Sequence, residues 1–267
     1  MRDILETKRK EVALLRERYD LSSLKEAAAA APRARNFFAA VTKPPRRRLN
    51  LIAEFKRASP SAGMIREDRD PAETARLYAA AGADAISVLT DQSYFRGSLE
   101  DLKAVRRAVE LPVLRKDFII DPCQVYESRA AGADAILLIA AALPGGDLLD
   151  LMILATELRM TTLLEVHEAD ELMRVRSAVG FPHAAYGLLG INNRDLNTFR
   201  VDVGTTVRLA ELVPEGTPIV SQSGIKTSRD VERLRGAGVC ALLIGETLMR
   251  APDVEAEVGK LLGPAVA

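Results

Sequence analysis

The amino-acid sequence predicts an α/β protein, specifically a (β/α)8 TIM barrel with an N-terminal helical extension. From Leu51 onward, short apolar runs alternate with polar turns and amphipathic segments. The runs are nearly continuous in apolar character, which is typical of a parallel sheet covered by helices. Residues 80–86 recur as residues 130–136 and more weakly as 236–242, as stacked βα units require. A doubly wound open sheet is the alternative, and it is disfavoured because no Gly-x-Gly-x-x-Gly motif follows the first strand.

The chain is predicted to form one domain, residues 1–267, with the helical extension at 1–48 and the barrel at 49–267. Residues 2–19 predict an exposed helix with an apolar stripe of Ile4, Val12, Leu14 and Leu15. Ser22 or Ser23 would cap a second helix through residues 27–31, which Pro32 would end. The basic run at 43–48 is interpreted as a solvated linker, although it could add positive potential beside an anion site.

The predicted barrel elements follow the apolar runs and the cap signals. Asp70-Pro71 and Asp121-Pro122 each place a cap before a proline in the first helical turn. We expect strands at 51–56, 85–89, 112–115, 135–139, 162–166, 187–191, 218–221 and 241–244. We expect helices near 71–81, 98–109, 121–131, 147–159, 168–178, 203–212, 227–236 and 252–262.

Composition narrows the class of function. The chain has 37 basic and 37 acidic residues, so it offers no overall field that would recruit nucleic acid or an anionic membrane. Cys123 and Cys240 match no metal-ligand spacing and fit a reducing compartment, and with two histidines a metal site is not expected. The charged N-terminus and the lack of long apolar runs predict a soluble, cytoplasmic protein without a cofactor.

The first strand places opposite charges on one face. Ile52, Glu54 and Lys56 share a face because alternate residues of a strand point the same way. A buried charge is costly unless it is paired or used, and a Ser-Pro-Ser-Ala-Gly turn follows at once. This stretch predicts the rim of an active site, and a plain salt bridge on an edge strand is the alternative.

Polar residues collect at the predicted strand ends, where barrels of this class carry their active sites. They include Glu54 and Lys56 after strand one, Arg115, Lys116 and Asp117 after strand three, Glu165 and His167 after strand five, Asn192 and Arg194 after strand six, Gln222 and Ser223 after strand seven, and Gly245 and Glu246 after strand eight. Any one of these could join an ion pair at the rim, but their joint occurrence predicts a functional site.

The glycine-bearing turns after strands seven and eight predict a phosphate site, because such barrels hold a phosphate there on backbone amides. The substrate is therefore expected to be a small phosphate ester. Two lysines and two glutamates, Lys56, Lys116, Glu54 and Glu165, would supply proton donors and acceptors to one cavity without a metal. A Schiff-base role for either lysine remains the competing mechanism.

Five stretches together resemble the indole-3-glycerol-phosphate synthase family. They are LIAEFKRASPSAG at 51–63, LRKDFI at 114–119, LEVH at 164–167, GINNRDL at 190–196 and LIGETLM at 243–249. The resemblance implies a (β/α)8 barrel whose extra N-terminal segment covers the mouth. It also implies the substrate 1-(2-carboxyphenylamino)-1-deoxyribulose 5-phosphate, which loses carbon dioxide and water.

The resemblance also implies roles for individual residues. Lys116 would be the general acid in ring closure, Glu165 would act in the later proton removal and dehydration, and Lys56 would bind the carboxylate or act as a second acid. Glu54 and Asn192 would orient these groups. The expected substrate contacts are Arg194 for an anionic group, Phe118 for the aromatic ring, and Ser59, Ser223, Gly224 and Gly245 for the site lining or the phosphate. Glu246 is grouped with them by position, although its charge would repel a phosphate and suits the first turn of a helix.

One residue departs from the family pattern. The family usually has Glu-Ser-Gly after strand seven, whereas this chain has Gln222-Ser223-Gly224, so a carboxylate is replaced by a neutral amide. We expect altered lysine pKa values rather than inactivity. Two alternative functions stay open: a phosphoribosylanthranilate isomerase, disfavoured by the Glu-Phe-Lys ending of the first strand, and an inactive barrel kept as a binding module. The sequence does not determine whether the protein associates with other tryptophan-pathway enzymes.

Overall fold

The computed structural model of the protein describes residues 1–179, 187–195, 198 and 200–265. Eight parallel strands close into a TIM barrel, as the sequence predicts. Each strand pairs with its neighbours in chain order, and the last pairs with the first. The strands are β1 (Asn50–Phe55), β2 (Ala85–Leu89), β3 (Val113–Lys116), β4 (Ala135–Ile139), β5 (Thr161–Val166), β6 (Gly187–Asn192), β7 (Ile219–Gln222) and β8 (Val239–Ile244).

The helices lie outside the barrel or at its ends. They are α1 (Arg2–Arg18), α2 (Leu21–Ala30), α3 (Phe37–Thr42), α4 (Pro71–Ala80), α5 (Gln92–Phe95), α6 (Leu99–Ala108), α7 (Pro122–Ala130), α8 (Gly145–Glu157), α9 (Ala169–Val179), α10 (Gly204–Ala210), α11 (Ser228–Gly236), α12 (Glu246–Arg250) and α13 (Val254–Leu262). The sequence did not predict α5, nor the short antiparallel pairing of Ala58–Ser59 with Gly63–Met64.

The repeated sequence has a structural cause. Gly82 and Gly132 take left-handed φ values of 89° and 92° where α4 and α7 end. Two residues further on, the carboxylate of Asp84 accepts a 2.9 Å hydrogen bond from the Leu51 amide. Asp134 accepts a 2.8 Å bond from the Val113 amide. Each copy therefore turns the chain and ties the start of one strand to its neighbour.

The N-terminal extension contacts both ends of the barrel. Helix α3 closes the amino end, where Phe37 and Val41 are fully buried against the apolar residues that fill the barrel interior. Asn36 caps this helix by accepting from the Ala39 amide. Helix α1 lies at the opposite end, where Met1 and Ile4 line the central cavity. The extension therefore covers the mouth, as the resemblance implies.

Two expectations for the extension are wrong. Leu14 is 63% exposed, and the buried positions of α1 are Lys8 and Val12, so a lysine takes the place of an apolar residue on the packed face. Helix α2 begins earlier than predicted because Asp20, not Ser22 or Ser23, caps it through the Ser23 amide.

The basic run does not lie at the site. Lys43 pairs with Asp84 at 2.8 Å, and Arg48 pairs with Glu232 at 2.7 Å. These contacts lie where the chain enters β1, at the amino end of the barrel, whereas the cavity is at the carboxyl end. The positive potential that this run could add to an anion site is therefore absent from the mouth.

The last predicted helix, 252–262, corresponds to α13, and the sequence did not predict the short helix α12 that precedes it. Glu246 begins the short helix α12, and α13 starts only at Val254, with Asp253 as its cap. Pro252 lies between the two, and the residue before a proline is disfavoured in helical conformation. Within the part of the chain that the structure describes, no helix is long and apolar enough to cross a bilayer.

Candidate active site

A cavity of about 930 Å³ opens at the carboxyl ends of the barrel strands. Its apolar floor includes Leu137, Ile139 and Leu243 from the strands. Every residue to which the sequence assigns a catalytic or substrate-binding role lines this cavity: Glu54, Lys56, Ser59, Lys116, Phe118, Glu165, Asn192, Arg194, Ser223, Gly224, Gly245 and Glu246. Arg115 and His167, which the sequence also places at strand ends, are not among the described residues that line it. The structure therefore brings the predicted residues together, while their individual roles remain predictions.

Glu54 and Lys56 form the first ion pair of the site. The Lys56 Nζ lies 2.7 Å from Oε1 of Glu54, and the Glu54 side chain is buried. Strand β1 ends at Phe55. Lys56 lies just beyond the strand, and its side chain turns back to reach Glu54. A Cβ on Gly245 would lie 3.0 Å from both Glu54 Cδ and Lys56 Nζ. The glycine thus leaves the room in which this pair sits.

Lys116 and Glu165 form the second ion pair. The ammonium at the end of β3 lies 3.4 Å from Oε2 of Glu165 near the end of β5. Asn192, at the end of β6, donates to the other carboxylate oxygen at 3.2 Å. Burial alone would raise the pKa of Glu165, but Lys116, His167 and Asn192 together hold it well below its ordinary value. Glu165 is therefore a carboxylate at neutral pH.

His167 contacts the same carboxylate. Its Nε2 lies 3.2 Å from Oε1 of Glu165, as an ion-pair contact rather than a well-aligned hydrogen bond. Its Nδ1 lies 3.2 Å from Oε2 of Glu171, and its backbone amide donates to the same oxygen at 2.7 Å. The sequence placed His167 in a family motif without a role. The sequence could have indicated the contact with Glu171, because Glu171 follows His167 by four residues at the start of α9.

Lys116 is followed by a buried charge cluster around Asp117. The sequence offered an ion pair of Arg115 or Asp117 at the rim as an alternative, but it did not predict the part of Lys8. Asp117 accepts from Thr90 at 2.6 Å and from Arg115 at 3.1 Å. Lys8 of helix α1 reaches Asp117 at 2.9 Å and Asp91 at 3.0 Å. The sequence could have indicated the burial of Lys8, because Ile4, Lys8 and Val12 are spaced four residues apart. They therefore lie on one face of α1, the face that packs on the barrel.

Aromatic and hydroxyl groups form one wall of the cavity. The Phe118 ring lies 6.2 Å from the Phe95 ring at a tilt of 40°, within the range of a favourable aromatic pair. On the loop after β1, Ser59 is buried and its hydroxyl accepts from the Ala62 amide at 3.2 Å. Ser59 therefore shapes the turn as well as lining the site.

The turn after β7 has an unusual backbone. Ser223 and Gly224 take successive left-handed φ values of 69° and 78°. Asn193 fixes the turn by donating to the Ser223 carbonyl at 3.0 Å. Among the described residues, the amides of Gly224 and Ile225 have no protein acceptor. Successive amides left free in such a turn form a concave site for an anion.

The remaining predicted contacts flank this turn. Glu246 begins α12 and pairs with Arg250 at 3.1 Å, which fits a stabilising first-turn acid better than a phosphate ligand. Arg194 follows β6 and lines the cavity, and its amide donates to Asn192 Oδ1 at 3.0 Å. Within the described residues, no group of three or more His, Cys, Asp or Glu side chains is arranged to hold a metal ion.

Comparison with known sequences gives a consistent match along the chain. A family model described as indole-3-glycerol phosphate synthase matches residues 1–261. An indole-3-glycerol phosphate synthase of Neisseria gonorrhoeae is 51% identical over 261 residues, covering 97% of each chain. One from Geobacillus kaustophilus is 48% identical over 263 residues, covering 98% of this chain and 96% of its own.

Similar solved structures share the fold at low identity. A 3-hexulose-6-phosphate synthase from Salmonella typhimurium has a TM-score of 0.60 at 13% identity, covering 80% of this chain and 96% of its own. A chain of the tryptophan synthase α2β2 complex from Pyrococcus furiosus has a TM-score of 0.57 at 14% identity, covering 82% and 99%. At this identity the likeness concerns the barrel alone.

Proposed function

The chain belongs to the indole-3-glycerol phosphate synthase family, carboxy-lyases of tryptophan biosynthesis, and we propose how its cavity performs that reaction. The proposed substrate is 1-(2-carboxyphenylamino)-1-deoxyribulose 5-phosphate. The proposal is supported above all by the two lysine–glutamate pairs that meet in one cavity, Lys116–Glu165 and Lys56–Glu54. Each pair holds a proton donor beside a proton acceptor, as general acid–base catalysis requires.

Lys116 is proposed as the general acid of ring closure. A bond forms between the ring carbon that carries the carboxylate and the ketone carbon, and the ketone oxygen takes the Lys116 proton. The ring becomes cationic in this step, so the Glu165 and Glu54 carboxylates lower the barrier electrostatically. Loss of carbon dioxide then returns the bonding electrons to the ring.

Glu165 and Lys56 are proposed to complete the reaction. The new hydroxyl leaves as water after receiving a proton, for which Lys56 is the second donor. Loss of a proton from the neighbouring carbon, with Glu165 as acceptor, then forms the double bond that completes the indole. Asn192 supports this role, since its 3.2 Å hydrogen bond orients the Glu165 carboxylate.

The ion pairs favour acid catalysis over the Schiff-base alternative. A lysine that attacks a ketone must first lose its proton. Lys56 lies 2.7 Å from one carboxylate and Lys116 lies 3.4 Å from another, so each lysine nitrogen is engaged in an ion pair. Both lysines are therefore better placed to donate protons than to act as nucleophiles.

The anionic and aromatic parts of the substrate have separate proposed contacts. The phosphate would lie on the turn formed by Ser223 and Gly224, beside Gly245. The carboxylate would face Arg194 or Lys56, and the aromatic ring would pack on Phe118. The amides of Gly224 and Ile225, which have no protein acceptor among the described residues, support this position of the phosphate.

The proposed partner is this phosphate ester alone, with no nucleic acid or membrane, because 37 basic residues balance 37 acidic ones. We propose a cytoplasmic location on the grounds given by the sequence. The chain is also proposed to act as a single domain, since Met1 and Ile4 of the extension complete the wall of the barrel cavity.

The test is turnover of the proposed substrate by purified protein, followed by indole absorbance or fluorescence. Lys116→Met and Glu165→Gln should each lower kcat by at least about 100-fold, as expected for groups that transfer protons. Lys103→Met, at a half-exposed ion pair on α6, is the matched control and should keep full activity. Binding without turnover by the wild type would instead support the inactive-barrel alternative.

A further inference from the structure

The His167 side chain lies beside the Glu165 carboxylate, and the proposed reaction gives it no role. The His167 side chain is 8% exposed and places Nε2 at 3.2 Å from Oε1 of Glu165. The same oxygen accepts from Asn192, while the other oxygen faces Lys116. Glu165 therefore has two potential cationic neighbours, one of which is proposed to give its proton away during the reaction.

The imidazole is held from both sides. Its charged neighbours are Glu165, on strand β5 just before it, and Glu171 from helix α9, whose side chain is 8% exposed. Glu171 accepts from the His167 amide at 2.7 Å, so the loop between β5 and α9 fixes the ring position. Burial alone would lower the pKa of His167, but the close contacts with the Glu165 and Glu171 carboxylates raise it to about 9. The ring is therefore an imidazolium at neutral pH.

We propose that His167 is a positioning residue that keeps Glu165 anionic and oriented while Lys116 is without its proton. The inference rests on the proposed function, in which Lys116 is the acid of ring closure. Once that ammonium becomes neutral, Glu165 loses its first cationic partner. The imidazolium then supplies the remaining positive charge on a buried carboxylate, which would otherwise tend to take up a proton.

The arrangement also explains why the cation is a histidine held by Glu171 rather than a free side chain. Two carboxylates flank one imidazolium, so the ring is bound too firmly to give its proton to Glu165. A charge that stays in place throughout the reaction can stabilise the carboxylate without an energy cost for reorganisation.

The first test compares His167→Gln with wild type. The amide keeps a hydrogen-bond donor but removes the charge. We expect kcat to fall by roughly 10- to 100-fold, less than for loss of a general acid or base, with KM changing by less than about threefold. The acidic limb of the pH profile of kcat/KM should move to higher pH because the pKa of Glu165 rises. Glu168→Gln, at an exposed neighbouring position, is the control and should behave as wild type.

The second test does not depend on activity. The sequence has two histidines, so ring signals in an NMR titration can be assigned with His183→Gln, a position outside the described residues. We expect the His167 signal of wild type to titrate near pH 9 and that of Glu171→Gln at lower pH. In Glu171→Gln the alkaline loss of kcat/KM should begin at correspondingly lower pH.

The outcomes separate this inference from the proposed function. A His167 ring that titrates near its ordinary value of about 6.5 overturns the inference, even if His167→Gln fails to fold. The inference also fails, while the proposed function stands, if the wild type turns over the substrate and His167→Gln keeps kcat within about twofold. In that case the acidic limb of the pH profile would not move. Absence of wild-type turnover overturns the proposed function and this inference with it.

Discussion

The Lys8 ammonium lies 2.9 Å from the Asp117 carboxylate, so the N-terminal helix is tied to the residue that follows Lys116. Both side chains are 2% exposed, and Asp91 completes the cluster at 3.0 Å from the same ammonium. A buried charge left without its partner is strongly destabilising. Lys8 therefore couples the docking of α1 to the residue that follows Lys116.

Lys8→Met should destabilise the protein by about 3–5 kcal/mol, because it takes the Lys8 cation from buried Asp91 and leaves buried Asp117 with Arg115 in place of two cations. Turnover should fall as well, since Asp117 holds the chain beside Lys116. The free energy of unfolding in urea and kcat measure the two effects. Lys10→Met, at an exposed position on the same helix, is the control. Equal stability of the two variants would contradict the prediction.

The same cluster predicts a loss of stability in acid. Burial would raise the pKa of Asp117, but Arg115 and Lys8 lower it to about 2 from an ordinary 3.8. A carboxylate whose folded pKa is depressed stabilises the fold above its unfolded pKa, and that stability is lost as pH falls through its folded pKa. We expect a loss of about 2 kcal/mol between about pH 4 and pH 2. Unfolding free energies measured across this range should show a smaller loss in Asp117→Asn.

Gly245→Ala should lower kcat by about 100-fold, because the added Cβ would displace the Glu54–Lys56 pair, and displacements near 1 Å can cost that much. Gly259→Ala is a matched control, since nothing lies within 4 Å of the Cβ it adds within α13. That variant should keep its activity and gain up to about 1 kcal/mol in stability. A fully active Gly245→Ala variant would show that the pair tolerates displacement.

The barrel could be predicted from sequence because each buried strand leaves its own local signal. The apolar run of β4, Ala135–Ile139, has the predicted bounds, and β2, Ala85–Leu89, does as well. The short elements lacked such a signal. Helix α5, Gln92–Phe95, contains no buried residue, so no apolar periodicity marks it.

The site could be predicted as a set of residues but not as a set of contacts. Strand ends converge in any closed parallel barrel, so Glu54, Lys116 and Glu165 could be placed at one mouth. The partners of Glu165 depend on side-chain geometry that no spacing records. Lys8 was missed for a different reason: a lysine on an amphipathic helix is normally exposed, and only the tertiary structure shows Asp91 and Asp117 beneath it.

Gln222→Glu should change kcat/KM by less than about tenfold. The Gln222 side chain is buried, and neither of its polar atoms has a protein hydrogen-bond partner in the part of the chain that the structure describes. Both site lysines already have a carboxylate, Glu54 for Lys56 and Glu165 for Lys116, so a third acid is not needed to hold either ammonium.

The introduced carboxylate would be buried beside Gly190, where a Cβ would lie within 3.3 Å of Leu163 carbons, so the space is tight and apolar on one side. Its burial should raise its own pKa and cost stability, and it should raise the pKa of a nearby lysine. The pH profile of kcat/KM and the unfolding free energy of Gln222→Glu measure both effects, with Gln222→Met as the uncharged control. A rise in activity by orders of magnitude would instead mean that this position limits catalysis in the natural chain.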